Sequence, residues 1–210
     1  MNDMGTNTLN YEVIQSGSKG NCVVIHDVMV DCGVPFAKLK EHLYNIRYLL
    51  LTHIHSDHIR PATLQKIKVL FPKILIIGNY EVAQVYGVHV ISNTGYPVET
   101  EHHNFMPFEC VHNVVTQGFT WAINGLSIIY ATDTNTLKHA PMGMYDYFFL
   151  ESNHDEKKLL AARRNFKGGY DPYTSGKRHL STKECKTFYY LNRRTQESEL
   201  IELHKSERFY

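Results

Sequence analysis

Residues 53 to 58 read His-Ile-His-Ser-Asp-His, placing three imidazoles and one carboxylate within six positions. Neutral imidazole nitrogens combined with a carboxylate oxygen suit divalent cations of borderline or harder character, such as Zn²⁺ or Mn²⁺. His53 and His55 are two apart, so they project to one side while the chain stays extended. Asp57 and His58 follow as the backbone turns. The preceding run, Ile46 to Leu51, is too short and too apolar for a surface helix and reads as a buried strand. A strand end feeding a loop offers rigid support and an open tip. The plainer alternative is a solvated polar loop. It has no need of two ligand types at fixed spacing behind a buried strand.

The elements that must position this loop form an α/β pattern. Leu9–Ile14, Cys22–Ile25 and Val28–Asp31 read as consecutive antiparallel strands, with a tight turn at His26-Asp27. A helix is expected over Pro35–Tyr44, another from Pro61 to Leu70 with proline at its first position, and a third over Tyr80–Tyr86. Ile74–Ile77 and Val88–Ile91 are expected strands. Further strands are expected at Phe105–Val111, Phe119–Ile123, Ser127–Thr132, Tyr147–Glu151 and Glu199–Leu203. Asn124-Gly125 signals a hairpin. A helix is expected over Asp155–Arg164, and Ser181-Thr-Lys-Glu184 looks like a capping box opening a helix to Arg193. Phe166–Lys177 reads as a loop. His112, Asp133 and His204 all fall at the ends of expected strands. The sum is two β-rich sheets with helices outside.

Composition narrows the class. The chain has 210 residues, 43% hydrophobic and 20% charged, with a net charge of +1. That suits one globular domain and excludes a protein whose affinity comes from bulk charge. Cys22, Cys32, Cys110 and Cys185 are scattered and form neither a zinc knuckle nor a redox pair. Met1–Asn10 is polar and unlike a signal peptide, and no apolar run nears the length of a membrane span. A cytoplasmic setting without a membrane partner is therefore expected.

The His-x-His-x-Asp-His loop behind an apolar strand resembles the hallmark of the metallo-β-lactamase superfamily. That resemblance implies an α+β fold, a four-layer αββα sandwich with two mostly antiparallel or mixed sheets flanked by helices, in one domain over 1–210. It also implies two divalent metal ions, Zn²⁺ or Mn²⁺, at one edge. His53, His55 and His112 would hold one, Asp57, His58 and His204 the other, and Asp133 would touch both. Solvent held between two cations is acidified and can attack at neutral pH, and the pair can clamp an anionic oxygen. Asp57 and His179 are the residues this implies for catalysis.

Several separated motifs resemble the YycJ-type (WalJ-type) branch: Ser16-Gly-Ser-Lys-Gly-Asn-Cys22, Val30-Asp-Cys-Gly33, Thr52–His58, Ala131-Thr-Asp133, Leu150-Glu-Ser-Asn-His-Asp155 and His179-Leu-Ser181. Asp133 stands where zinc β-lactamases usually carry cysteine. Between Asp133 and His204 there is no room for the inserted domain of β-CASP nucleases, and the long glycine-rich arm of tRNase Z is missing. Relatives in the branch are described as DNA-degrading exonucleases. The chain departs from the pattern at Asn113, where aspartate is expected, and at Thr182, where asparagine is expected.

The function implied is a dinuclear metal-dependent phosphodiesterase or nuclease acting on DNA, exonucleolytic if it follows the branch. The alternative is a hydrolase of a small substrate such as a cyclic nucleotide or thioester. A binding module that has kept the fold is a third reading, which the complete ligand set argues against. A homodimer is left open. His179 is expected to protonate a leaving oxygen or to bind phosphate, against the alternative of a helix-flanking surface histidine. Glu151 and Asn153 are expected to orient ligand histidines. His154 and Asp155 either join them or begin the next helix. Ser18, Asn21, Ser181 and Arg208 are candidate substrate contacts. The 16–21 loop either offers N–H groups to a phosphate or serves only a sharp turn. Lys177, Arg178, Lys183, Lys186, Arg193 and Arg194 with Tyr170, Tyr173, Tyr189 and Tyr190 suit single-stranded nucleic acid, or else form a solvated helix face.

Overall fold

The computed structural model describes residues 8–164 and 171–210. Two six-stranded sheets pack face to face. The first runs in spatial order β1 (Tyr11–Gln15), β2 (Cys22–Ile25), β3 (Val28–Val30), β4 (Tyr48–Leu51), β5 (Leu75–Gly78) and β6 (Val90–Ile91). Its first two pairings are antiparallel and the remaining three parallel. The second runs β12 (Glu199–Leu203), β11 (Tyr147–Glu151), β10 (Leu126–Ala131), β9 (Thr116–Ile123), β8 (Asn104–Cys110) and β7 (Val98–Glu99). Here β10, β11 and β12 are parallel, and the β7-to-β10 side is antiparallel.

Strand alternation explains the layers. On β4, Tyr48 and Leu50 face the other sheet while Leu49 and Leu51 face outward. On β11, Tyr147 and Phe149 point inward and Phe148 and Leu150 outward. Both strands are apolar on both faces because both faces are covered. α1 (Phe36–Leu39), α2 (Pro61–Leu70) and α3 (Tyr80–Tyr86) bury Leu39, Leu64, Ile67 and Val82 against the outside of the first sheet. α6 (Thr182–Asn192) buries Cys185 and Phe188 against the second. Each fully buried leucine or phenylalanine in these layers contributes about 1.5–3 kcal/mol. The result is the α+β, four-layer αββα sandwich anticipated above.

Local chemistry fixes the ends. Asn79 caps α3 by accepting from Val82 N at 2.9 Å. Ser181 caps α6 by accepting from Glu184 N at 3.2 Å, and its hydroxyl lies 3.0 Å from the Glu184 carboxylate, so the cap forms without the reciprocal bond to the Ser181 N–H that completes a capping box. Asn124 and Gly125 both have positive φ, 51° and 82°, the backbone of a tight hairpin between β9 and β10.

Three expectations are corrected. The helix at Pro35–Tyr44 is instead a single turn, α1, followed by a 3-10 turn at His42–Asn45. His42, Tyr44 and Asn45 are weak helix formers, and the break lets Leu39, Leu43 and Ile46 all reach the same outer core. Within the expected loop over 166–177, Pro172–Gly176 forms a short helix, α5; Asp171 Oδ1 accepts from Tyr173 N at 3.0 Å and proline occupies the first position. Phe166 to Tyr170 lie outside the described residues. The two-residue strand β7 was too short to leave a pattern. α4 (Glu156–Arg164) begins one residue late because Asp155 caps it, accepting from Lys157 N and Lys158 N. None of the described helices is long and apolar enough to cross a membrane.

Candidate metal centre

Parallel strands end on the same edge, and that edge carries the chemistry. β4 delivers the loop of His53, His55, Asp57 and His58 from the first sheet. β8, β10, β11 and β12 deliver His112, Asp133, Glu151 and His204 from the second. Asp31, Asp133 and His204, just past β3, β10 and β12, all have left-handed backbone, with φ of 61°, 52° and 52°. This conformation costs L-residues about 1–2 kcal/mol and aims the side chain across the strand ends rather than along the sheet face.

The side chains converge in four overlapping groups whose ligand atoms lie within 4.8 Å of one another. These are His53, His55 and His112; Asp57, His58 and His204; His53, His58 and Asp133; and Asp133, Glu151, His179 and His204. Asp133 Oδ2 is 2.7 Å from His58 Nε2 and 3.7 Å from His204 Nε2, and Asp133 Oδ1 is 3.7 Å from His112 Nε2. Yet Asp133 Oδ2 and His204 Nε2, both buried, have no hydrogen-bond partner among the described residues. The 2.7 Å contact of Asp133 Oδ2 with His58 Nε2 is an ion-pair distance. Lone pairs aimed at one another at these distances repel unless a proton or a cation lies between them. The donor set, imidazole nitrogens with carboxylate oxygens, therefore fits divalent cations.

Contacts behind the donors set their orientation. His58 Nδ1 lies 2.7 Å from Asp31 Oδ2, and Thr52 N and Oγ1 donate to Asp31 at 2.9–3.1 Å. Asn21 Nδ2 approaches His58 Nε2 at 2.9 Å and Asp57 Oδ2 at 3.3 Å. Asn21 N also donates to Asp57 O at 2.6 Å. A β-carbon on Gly33 would stand 1.7 Å from Asp57 O, so only glycine permits this approach. On the second sheet, Glu151 Oε1 is 2.6 Å from His179 Nδ1 and 3.2 Å from His204 Nδ1. Asn153 Nδ2 donates to His204 O at 2.8 Å.

Burial and neighbouring charge divide the titrations of the metal-free centre. Burial holds His53 well below the ordinary histidine value and lowers His112. Burial would also lower His58, but the Asp133 and Asp31 carboxylates outweigh it and hold the ring well above that value. His179 and His204 are raised in the same way, against burial, mainly by Glu151 and by Asp133 respectively. Burial would raise Asp133 and Glu151, yet His58 and His204 keep the first well below the usual carboxylate range, and His179 lowers the second.

The structure thus brings His53, His55, Asp57, His58, His112, Asp133, Glu151, Asn153, His179 and His204 to one place. Ser18 and Arg208 line a cavity of about 520 Å³ beside His204 and His179. The other two candidate contacts have local duties. The Asn21 amide is committed to Asp57 and His58, and Ser181 is a buried cap whose hydroxyl meets Glu156 and Glu184. Most of the basic and aromatic residues near the C-terminus are engaged within the fold. Arg194 pairs with Asp146 at 3.0 Å, Lys186 lies 3.8 Å from Glu202, and Arg193 sits over Tyr189 and Tyr190. Asp31, Gly33 and Thr52 stood inside the motifs quoted above, but sequence reasoning gave them no role in the site. The Asp-x-Gly spacing marked a turn, but nothing in it revealed a contact 27 positions ahead.

No family model and no curated protein matches the sequence. Solved structures do match. The metallo-β-lactamase fold protein YhfI from Bacillus subtilis superposes with a TM-score of 0.70 at 16% identity, over 95% of this chain and 87% of that one. Human tRNase Z, short form, gives 0.64 at 17% identity, over 94% and 93%. A diphosphatase of the PhnP family gives 0.64 at 15% identity, over 96% and 88%. With these likenesses spanning nearly its whole length, the chain has the metallo-β-lactamase fold.

Proposed function

We propose that this protein is a metal-dependent phosphodiesterase that acts on DNA. One observation carries the reading: Asp133 belongs to donor groups on both sides of the centre, so one carboxylate links two sets of histidines. In this reading His53, His55 and His112 would hold one divalent cation, Asp57, His58 and His204 would hold a second, and Asp133 would serve both. When bound, such cations supply Lewis acidity, making solvent more acidic and balancing charge on a phosphoryl group. The chain's own residues do the rest. Asp31 and Asn21 orient His58, and Glu151 and Asn153 orient His204. Glu151 Oε1 accepts a hydrogen bond from His179 Nδ1–H, and the protonated ring then gives its Nε2 proton to the leaving alkoxide and becomes neutral.

The surroundings support a substrate that extends past the scissile bond. The cavity beside Ser18 and Arg208 and a second one of about 590 Å³ meet at His179, which lines both. The structural likeness to human tRNase Z, short form, and the motif resemblance to DNA-degrading exonucleases favour a polynucleotide. The likeness to a diphosphatase favours a small substrate instead. End-labelled single- and double-stranded DNA, incubated with the protein and Mn²⁺ or Zn²⁺, separates these. Cleavage by wild type that is lost in the Asp57→Ala, His58→Ala double variant is expected. Equal behaviour of the two proteins overturns the reading. Hydrolysis of bis(p-nitrophenyl) phosphate or a cyclic mononucleotide without DNA cleavage selects the small substrate.

A further inference from the structure

His154 lies just past β11, and its backbone is pinned there: its carbonyl accepts from Thr182 N at 2.9 Å and it bridges to Ser181. Its residue surface is only 5% exposed, yet its Nδ1 is buried with no hydrogen-bond partner among the described residues. Nδ1 is thus closed off within the fold, and Nε2 is the ring nitrogen that a molecule in an adjoining cavity can reach. None of the metal donor groups includes His154. What it does line is the cavity of about 590 Å³ on the far side of His179 from Ser18 and Arg208. Leu159 and Leu160 form an apolar wall there, Glu184 adds an acceptor, Tyr173 carries the Arg163 and Lys177 cations over its ring at 4.6 and 5.2 Å, and the exposed Lys138 and Lys177 also line the cavity.

We propose that this cavity is a nucleoside subsite, in which His154 hydrogen-bonds the edge of the base adjoining the phosphate held at His179. The inference rests on the phosphodiesterase reading above and names the group that the substrate presents. The volume is within the range of small-ligand sites, which are mostly apolar with a few fixed polar groups. A base is flat and apolar on its faces and carries donors and acceptors on its edge, which matches an apolar wall beside an imidazole and a carboxylate. Burial lowers the His154 ring below the ordinary histidine value. It is therefore neutral near neutral pH, and its Nε2 can serve as donor or acceptor according to the tautomer. The exposed lysines suit the phosphate that joins such a nucleoside to the next.

The test compares wild type, His154→Leu and Leu160→Trp on thymidine 5′- and 3′-(p-nitrophenyl) phosphate and on bis(p-nitrophenyl) phosphate, with Mn²⁺. Leu160 is 42% exposed and lines the same cavity, so tryptophan there fills the space without disturbing the core. Wild type is expected to bind one thymidine ester with a lower KM than the bis-aryl ester. Each variant is expected to raise that KM about tenfold relative to the bis-aryl ester, with the ratio of kcat values held. Equal KM values in wild type, or a preference that survives both substitutions, overturns the subsite. Calorimetric binding of thymidine 5′-monophosphate separates the two readings. If no ester is hydrolysed but the nucleotide binds and His154→Leu weakens it, the phosphodiesterase reading fails and the subsite stands. Absence of both hydrolysis and binding removes both.

Discussion

Asp31 Oδ2 stands 2.7 Å from His58 Nδ1, and neither side chain has any exposed surface. The carboxylate holds the ring with Nδ1–H toward itself, so Nε2 faces Asp133 and the centre. Replacing Asp31 with asparagine keeps the shape and tolerates the left-handed backbone at this position. It removes the charge that fixes the tautomer. The expected result is a loss of roughly 10–100-fold in metal affinity with the fold retained. Metal titration alongside thermal unfolding checks this; unchanged affinity would show that the pairing is only structural.

Gly33 and Asp57 make a second such relationship, this time steric. Gly33→Ala places its new methyl 1.7 Å from Asp57 O. That atom also accepts from Asn21 N at 2.6 Å, so the loop cannot retreat without breaking its tie to the 16–21 turn. A destabilisation of about 3 kcal/mol is expected, together with loss of bound metal. Gly17→Ala is the control: its added carbon meets nothing within 4 Å, and only its φ of +132° opposes the change, at about 1–2 kcal/mol. Urea unfolding of both variants tests the contrast. Equal midpoints for the two would count against a tight Gly33–Asp57 contact.

The contrast between Asp31 and His53 explains what the sequence could reveal. His53, His55, Asp57 and His58 are neighbours in the chain, so spacing alone disclosed their common purpose. The strand ends carrying His112, Asp133 and His204 were legible from apolar runs, and their gathering followed from the family pattern. The apolar runs at β4 and β11 were legible as strands, and the sandwich they enter followed from the family resemblance. Long-range contacts were not legible. Asp31 reaches His58 only after β3 and β4 pair, and Gly33 matters only once Asp57 O lies over it. The short elements also escaped notice, because α5 and β7 owe their form to an aspartate cap and to a neighbouring strand rather than to any periodicity.

Glu151 and His179 govern the pH response. At 2.6 Å the carboxylate outweighs burial and raises His179 above the ordinary histidine value. The protonated, donating form therefore persists to higher pH, and activity is expected to fall as pH rises through that raised value. Glu151→Gln removes the cause, so the alkaline limb of the kcat profile is expected to move to lower pH. His179→Ala is expected to lower kcat by about 10²–10⁴-fold while metal content is unchanged. Profiles of kcat with parallel metal analysis check both. An alkaline limb that stays put in Glu151→Gln assigns it to another group.

Asp27 sets an acid-stability feature at the opposite edge of the sandwich. Its carbonyl accepts from Arg47 N and Tyr48 N at the start of β4. Its carboxylate meets His103 Nε2 at 2.7 Å and His26 Nδ1 at 3.0 Å. Burial would raise this carboxyl, but the two imidazoles outweigh it and bring it from 3.8 down to about 2. A carboxylate lowered in the folded state adds stability that is fully present above its unfolded value and is lost as pH falls through the folded one. Asp27 is thus expected to contribute about 1 kcal/mol above pH 3.8, after allowance for solvent screening, and to lose it on the way down to about pH 2. Asp27→Asn lacks this titration, so its unfolding free energy is expected to start lower near neutral pH and to fall less steeply across that window. Parallel pH profiles for the two proteins would mean that the imidazoles do not favour the ionised form. Because this cluster lies away from the metal donors, activity per folded molecule is expected to match wild type, which separates the acid effect from damage to the centre.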